Sequence, residues 1–104
     1  MSDRGRHSWQ TDEMRELSTA ILALQTPEEV DNFLRDLCTI AELEAMAHRW
    51  AVARLLDAGL SYTEVARQTH ASTTTVTRVA HWLRHGEGGY RLALDRRKSA
   101  TSAA

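Results

Sequence analysis

A chain of 104 residues has room for one compact domain and little more, which excludes a multi-domain enzyme. Hydrophobic residues make up 42% and charged residues 26%, values that fit a folded globular chain rather than a disordered or membrane-embedded one. The formal net charge of −1 conceals an asymmetry: residues 1–44 hold four arginines against ten acids, net −6, and residues 45–104 hold nine basic residues against four acids, net +5.

The basic half suits a polyanion, nucleic acid foremost. The alternative is a solvated basic face that complements the acidic half across a dimer. The longest apolar run, Ala20 to Leu24, is far shorter than the roughly 18 residues that a spanning helix needs, so no membrane partner is expected. The polar start of the chain has no apolar signal core, and the single Cys38 cannot form an internal disulfide; both point to a cytoplasmic location. Small size by itself favours a homodimer.

In chain order, residues 1–10 read as a polar tail. Thr11-Asp12-Glu13 opens a helix over 12–24 with Met14, Leu17, Ile21 and Leu24 on one face. Thr26-Pro27-Glu28-Glu29 places a capping hydroxyl before a proline and two acids, and starts a second helix that buries Val30, Phe33, Leu34 and Leu37. Thr39 and Glu42 form a capping-box pattern for a third helix that ends at Gly59. Its apolar residues occupy more than one face (Leu43, Met46, Trp50, Ala53, then Val52, Leu55, Leu56), as expected of central burial or contact with a second chain. Residues 11–58 therefore read as core and dimer interface.

Ser61 and Glu64 form a second capping box, and the helix they start is short because His70-Ala71-Ser72 interrupts it. Ser72 caps a fifth helix whose inner stripe is Val76, Val79, Ala80 and Leu83, with Gly86 at its end. After a glycine-rich hinge, residues 87–97 carry a short final helix and 98–104 read as a disordered tail. Polar/apolar alternation is hard to find anywhere, so the fold class is all-α with about six helices.

Residues 59–86 have the form of a helix-turn-helix. Val65 and the small Ala66 fall where the first helix packs closely, Val76 and Val79 where the second returns to the core. His70 takes the turn position that often requires positive φ, where histidine is one of the enriched non-glycine residues. The second helix then presents Ser72, Thr73, Thr74, Thr75, Thr77 and Arg78. Threonine is a mediocre helix former, so four in this stretch favour a polar ligand over helix stability. Hydroxyls and N-terminal amides bond phosphates, threonine methyls contact thymine, and arginine reads guanine or holds the backbone. Double-stranded DNA is the expected partner: Arg67, Arg78 and Arg84 supply positioning charge, Thr73, Thr74 and Thr77 read bases, and Ser61 and Ser72 meet phosphates.

The stretches Tyr62-Thr-Glu-Val-Ala-Arg-Gln-Thr69, Ala71-Ser-Thr-Thr-Thr-Val-Thr-Arg78-Val79 and Gly86-Glu-Gly-Gly-Tyr90 resemble the Trp repressor superfamily, most closely its short bacterial branch of Trp-repressor-related proteins. The resemblance implies an intertwined all-α homodimer, a transcriptional regulator whose helix-turn-helix pairs read a pseudo-palindromic operator. It also implies a ligand site at Thr39, Arg49 and Arg78, the positions matching those that hold tryptophan in the repressor. Val79 and Trp82 stand where the repressor has glycine and serine, and added bulk in a packed site costs about 1–3 kcal/mol, so a tryptophan cofactor is disfavoured. The indole of Trp82 is itself a candidate to fill that space.

Other signals are weaker. His81 and His85 lie four apart, but no neighbouring Cys or acid completes a metal-ligand set; they read as solvated or DNA-facing. No nucleophile or paired carboxylate accompanies His48-Arg49, so no catalytic triad assembles. Cys38 reads as a small buried hydrophobe, and Trp9, Trp50 and Trp82 as packing residues. Two rival readings are a protein-interaction module and a helical enzyme resembling a chorismate mutase. The first requires an exposed apolar face on the fifth helix. The second requires long continuous helices, which the breaks at His70 and Gly86 oppose.

Overall fold

The computed structural model describes residues 8–103, so most of the N-terminal tail, like Ala104, lies outside the described residues. Six helices follow in order: α1 (Asp12–Leu22), α2 (Pro27–Leu37), α3 (Ile40–Asp57), α4 (Tyr62–Thr69), α5 (Thr73–His85) and α6 (Gly89–Ala103). An all-α architecture is thus established for the described residues. The chain divides into two compact units, residues 1–40 and 41–104.

In the first unit, side-chain caps set the helix starts. The Thr11 hydroxyl accepts from the Met14 N–H at 3.1 Å and the Thr26 hydroxyl from that of Glu29 at 3.1 Å. Glu29 returns the favour by accepting from the Gln25 N–H at 2.8 Å, so two orphan donors at the start of α2 are satisfied reciprocally. Neither helix buries a residue fully. Val30, Phe33, Leu34 and Cys38 are half-buried and Leu37 is exposed, where the sequence pattern predicts burial. Periodicity identifies an apolar face but not what covers it.

The second unit has the core. Val52 and Ala53 of α3, Val65 of α4, and Val76 and Val79 of α5 are essentially inaccessible and form one cluster, with Trp50, Leu55, Leu56, Leu60, Ala66, Ala71 and Tyr90 packed around it. This cluster puts nearly all of α3 with the later helices, so the grouping of 11–58 as one segment is corrected. At the end of α3, the Gly59 N–H donates to Leu56 O and the Leu60 N–H to Leu55 O. Gly59 takes φ +94, and these two bonds close a Schellman cap in which Leu60 folds back beside Leu55.

Residues 70–72 join α4 to α5. His70 adopts φ 61, ψ 21, the left-handed conformation expected of that turn position. Thr69 supports the turn: its hydroxyl donates to Val65 O at 2.7 Å and accepts from the Ala71 N–H at 3.2 Å.

The final helix differs from expectation. Instead of fraying after residue 97, α6 continues through Ala103. Leu94 is buried, and Tyr90 stacks on Trp50 with centroids 6.3 Å apart. Asp57, at the end of α3, receives Arg91 on one carboxylate oxygen and Lys98 on the other, each at 2.7 Å. The Lys98 contact lies inside the segment expected to be tail, which explains the extra helix. Those hydrogen bonds from Lys98 and Arg91 hold the Asp57 carboxyl below its ordinary range.

Two stability predictions follow from these contacts. A non-glycine residue in the left-handed region costs about 1 kcal/mol, partly offset by glycine's freer unfolded chain. His70→Gly should raise unfolding free energy by about 0.5 kcal/mol in chemical denaturation, and the β-branched His70→Val should lower it. A carboxylate with a depressed folded pKa contributes stability above its unfolded value of about 4 and loses it as pH falls through the folded value. Asp57→Asn should therefore lower stability near neutral pH by up to about 1 kcal/mol, a figure limited by the solvent screening of half-exposed Arg91 and Lys98. Thermal melts of variant and wild type should converge as pH falls below about 3.

Candidate nucleic-acid interface

The site is built on α5, and its first residue is set by Ser72. In an extended conformation, the Ser72 hydroxyl accepts from the Thr75 N–H at 3.1 Å and donates to the Thr75 hydroxyl at 3.1 Å. Thr75 is half-buried, so its side chain closes the cap instead of facing outward. Two of the six polar residues that the sequence places at this helix start are therefore committed to one another.

The remaining four separate cleanly from the core. Val76, Val79 and Ala80 are buried, while Thr73, Thr74, Thr77 and Arg78 are exposed. The spacings 73/77 and 74/78 put these four on one face of the helix. With His81, one turn beyond Thr77, they line a shallow depression of about 500 Å³. Its lining carries one guanidinium, one imidazole, three hydroxyls and their methyls. This mixture can bond acceptors, satisfy donors and touch apolar groups, as base edges and phosphates require.

The other candidate residues lie elsewhere. Ser61 caps α4, its hydroxyl accepting from the Glu64 N–H at 3.2 Å. Arg67 forms a bidentate pair with Glu64, which Gln68 also bonds at 2.8 Å. Bonding from Arg67 first, then Gln68, depresses the Glu64 carboxyl to about 2. Arg67 thus reaches solvent with much of its charge locally neutralised. Arg84 lies over the Tyr62 ring, 6.0 Å from its centroid, and lines a cleft with Asp57 and Arg91 rather than the α5 depression.

Arg49 and Arg78, two of the three residues of the implied ligand site, do come together. They line a cleft of about 280 Å³ with Val79, Trp82 and Tyr90. Val79 is 1% exposed and anchored in the core, whereas Trp82 is 54% exposed, its indole at the cleft's edge. Thr39 belongs to the other compact unit. Trp9 is 50% exposed, so of the three tryptophans only Trp50 is packed on the core as expected. Of the two histidines that the sequence reads as solvated or DNA-facing, His81, four residues after Thr77, lines the α5 depression. The contribution of Tyr90 to the cleft has no comparable local signal, because Tyr90 is brought in by α6.

Comparison with known proteins bears on the family and the fold. The family model described as Trp repressor protein matches residues 12–98. An uncharacterized protein of Bacillus subtilis, YerC, is 43% identical over 86 residues, covering 83% of each chain. The crystal structure of a TrpR like protein from Eubacterium eligens superposes with a TM-score of 0.81 at 35% identity, over 86% of this chain and 92% of that one. A second solved structure, from Staphylococcus aureus, gives a TM-score of 0.81 at 34% identity, over 86% and 90%.

Because Ser72 holds the first turn of α5 through both its bonds to Thr75, Ser72→Ala should destabilise the fold by about 1 kcal/mol, measured by thermal or chemical denaturation.

Proposed function

The chain belongs to the Trp repressor family of DNA-binding regulators, and from that premise we propose that it acts as a homodimer which binds a pseudo-palindromic operator through α4 and α5 as a helix-turn-helix. The role is regulatory rather than enzymatic, exercised in the cytoplasm on the nucleoid. The observation that carries the reading is the single exposed face of Thr73, Thr74, Thr77 and Arg78, directly behind which Val76 and Val79 fix the helix to the core.

In this mechanism α5 enters the major groove. Arg78 holds backbone or guanine, Thr73, Thr74 and Thr77 read base edges, and the N-terminal turns of α4 and α5, with Ser61 and Ser72 as their caps, approach phosphates. Arg67 and Arg84 add positioning charge from the flanks, Arg67 after exchanging its Glu64 partner for phosphate. Dimerisation accounts for the exposed apolar residues of the first unit: Met14, Ile21, Leu22, Leu37 and Ile40 are all between 37% and 85% exposed in the single chain. A second copy buries them, and two copies of α5 then span half-sites about 34 Å apart.

Tryptophan is not required in this scheme. Val79 cannot swing out of a cleft whose wall it shares with the core, and the Trp82 indole already stands at the cleft's edge.

In vitro selection from random duplex DNA, with and without tryptophan, tests the proposal. The expected result is a dyad-symmetric site recovered in both arms. Recovery only with tryptophan overturns the steric argument, and no enrichment in either arm overturns the DNA-binding reading. On the selected site, Arg78→Ala should lower affinity about tenfold for most sequences and reduce the salt slope by about one per protomer. Thr74→Ala should instead change the preferred base at one position of each half-site.

A further inference from the structure

His81 lies outside the set of residues that the sequence motif assigns to DNA, yet it lines the same depression as Thr73, Thr74, Thr77 and Arg78. It extends that surface by one helical turn. Its ring packs edge-on against Trp82, centroids 5.0 Å apart, and lies 5.1 Å from His85 on the following turn. His81 is exposed, so the imidazole stands on the solvent side of α5.

Resting on the DNA-binding reading, we propose that His81 is a direct DNA contact and that binding takes up a proton there, so that affinity for DNA rises as pH falls. The electrostatic surroundings support this. All five lining residues belong to α5, and none is a carboxylate; the one permanently charged neighbour is Arg78. On α4, the one acid, Glu64, is paired with Arg67. From α6, Asp95 is paired with Arg91, and from α3, Arg49 lines the separate cleft behind Arg78. Without a carboxylate in the depression, the partner that rewards a positive imidazole is the DNA backbone itself. Histidine is the side chain whose class changes charge between about pH 5 and 8. A polyanion that favours the charged form must, by linkage, be bound more tightly when that form is populated.

The coupling has a readable size. If DNA raises the proton affinity of an imidazole tenfold, binding is about six-fold tighter at pH 6 than at pH 8 for each protomer engaged. Thr77 and Arg78 supply pH-independent contacts, so binding persists at the higher pH.

The test is fluorescence anisotropy with a labelled random-sequence DNA duplex at low salt, near pH 6 and near pH 8. Wild type, His81→Gln and His85→Gln are compared, with circular dichroism to establish that all three are folded at both pH values. Calorimetry in two buffers of different ionisation enthalpy counts the protons taken up. The expected result is proton uptake and pH dependence in wild type and His85→Gln, both largely abolished in His81→Gln. Wild-type binding that does not vary with pH, pH dependence retained in His81→Gln, or its loss only in His85→Gln overturns this proposal while leaving the DNA-binding reading intact. Absence of wild-type binding at both pH values overturns the two together.

Discussion

The exposed polar face of α5 depends on one small junction: Val52, Val65, Val76 and Val79, meeting with Ala53 where α3, α4 and α5 converge. Their number is modest, and full burial of a valine contributes about 1.5–3 kcal/mol, so the junction matters more for direction than for bulk stability. A β-branched side chain has essentially one χ1 rotamer in a helix. Four of them in contact therefore leave α5 little freedom to rotate about its own axis. A rotation by one residue, 100°, would turn Thr77 inward and Val76 to solvent. Ala66 has the same logic on the other side, since a larger side chain there would lift α4 off α5.

The turn at His70 and the cap at Ser72 complete what the valines begin. The left-handed residue reverses the chain in the shortest distance, and the Ser72 hydroxyl fixes where α5 starts. At the other end, Gly86 is demanded by packing: a Cβ there would lie 2.5 Å from the Trp82 carbonyl oxygen, the acceptor that closes the last turn through the Gly86 N–H. Both ends of α5 are thus set by local chemistry and its rotation by the core. The exposed face of Thr73, Thr74, Thr77 and Arg78 is a consequence of all three.

This explains which parts of the molecule were legible in the sequence. Helix starts were, because Thr11, Thr26, Ser61 and Ser72 each make the hydrogen bond that their residue type implies. The positive φ at His70 and the inner stripe of α5 were legible for the same reason: backbone sterics and helical period act within a few residues. The extent of α6 was not, because its last turns present no apolar stripe and Lys98 finds its partner on a distant helix. The neutralisation of Arg67 by Glu64 sits at a spacing of three and was available to the eye, but counting charges by halves of the chain hides it. Thr75 was misjudged as an outward residue; four positions before the buried Val79, it sits at the margin of the core face. Burial of α1 and α2 could not be read at all, since an amphipathic pattern is the same whether the face meets its own chain or another.

Charge accounting bears on why a second copy belongs to the proposed mechanism rather than being incidental to it. Although residues 45–104 carry a net +5, Arg67, Arg91 and Lys98 are committed to Glu64, Asp57 and Asp95. Arg78 is the one permanent charge lining the α5 depression. Each neutralised phosphate adds about 0.9 to the slope of log affinity against log salt, so in the proposed mechanism the α5 depression of one protomer, with Arg78 as its permanent charge, gains only a small counterion-release contribution. Joining two such faces makes the second contact intramolecular, at an effective concentration on the order of millimolar, without adding any new contact. Under the proposed mechanism, a face with one permanent charge and three hydroxyls leans on base contacts more than on phosphate charge for discrimination, and a second copy of it supplies affinity that a single face lacks.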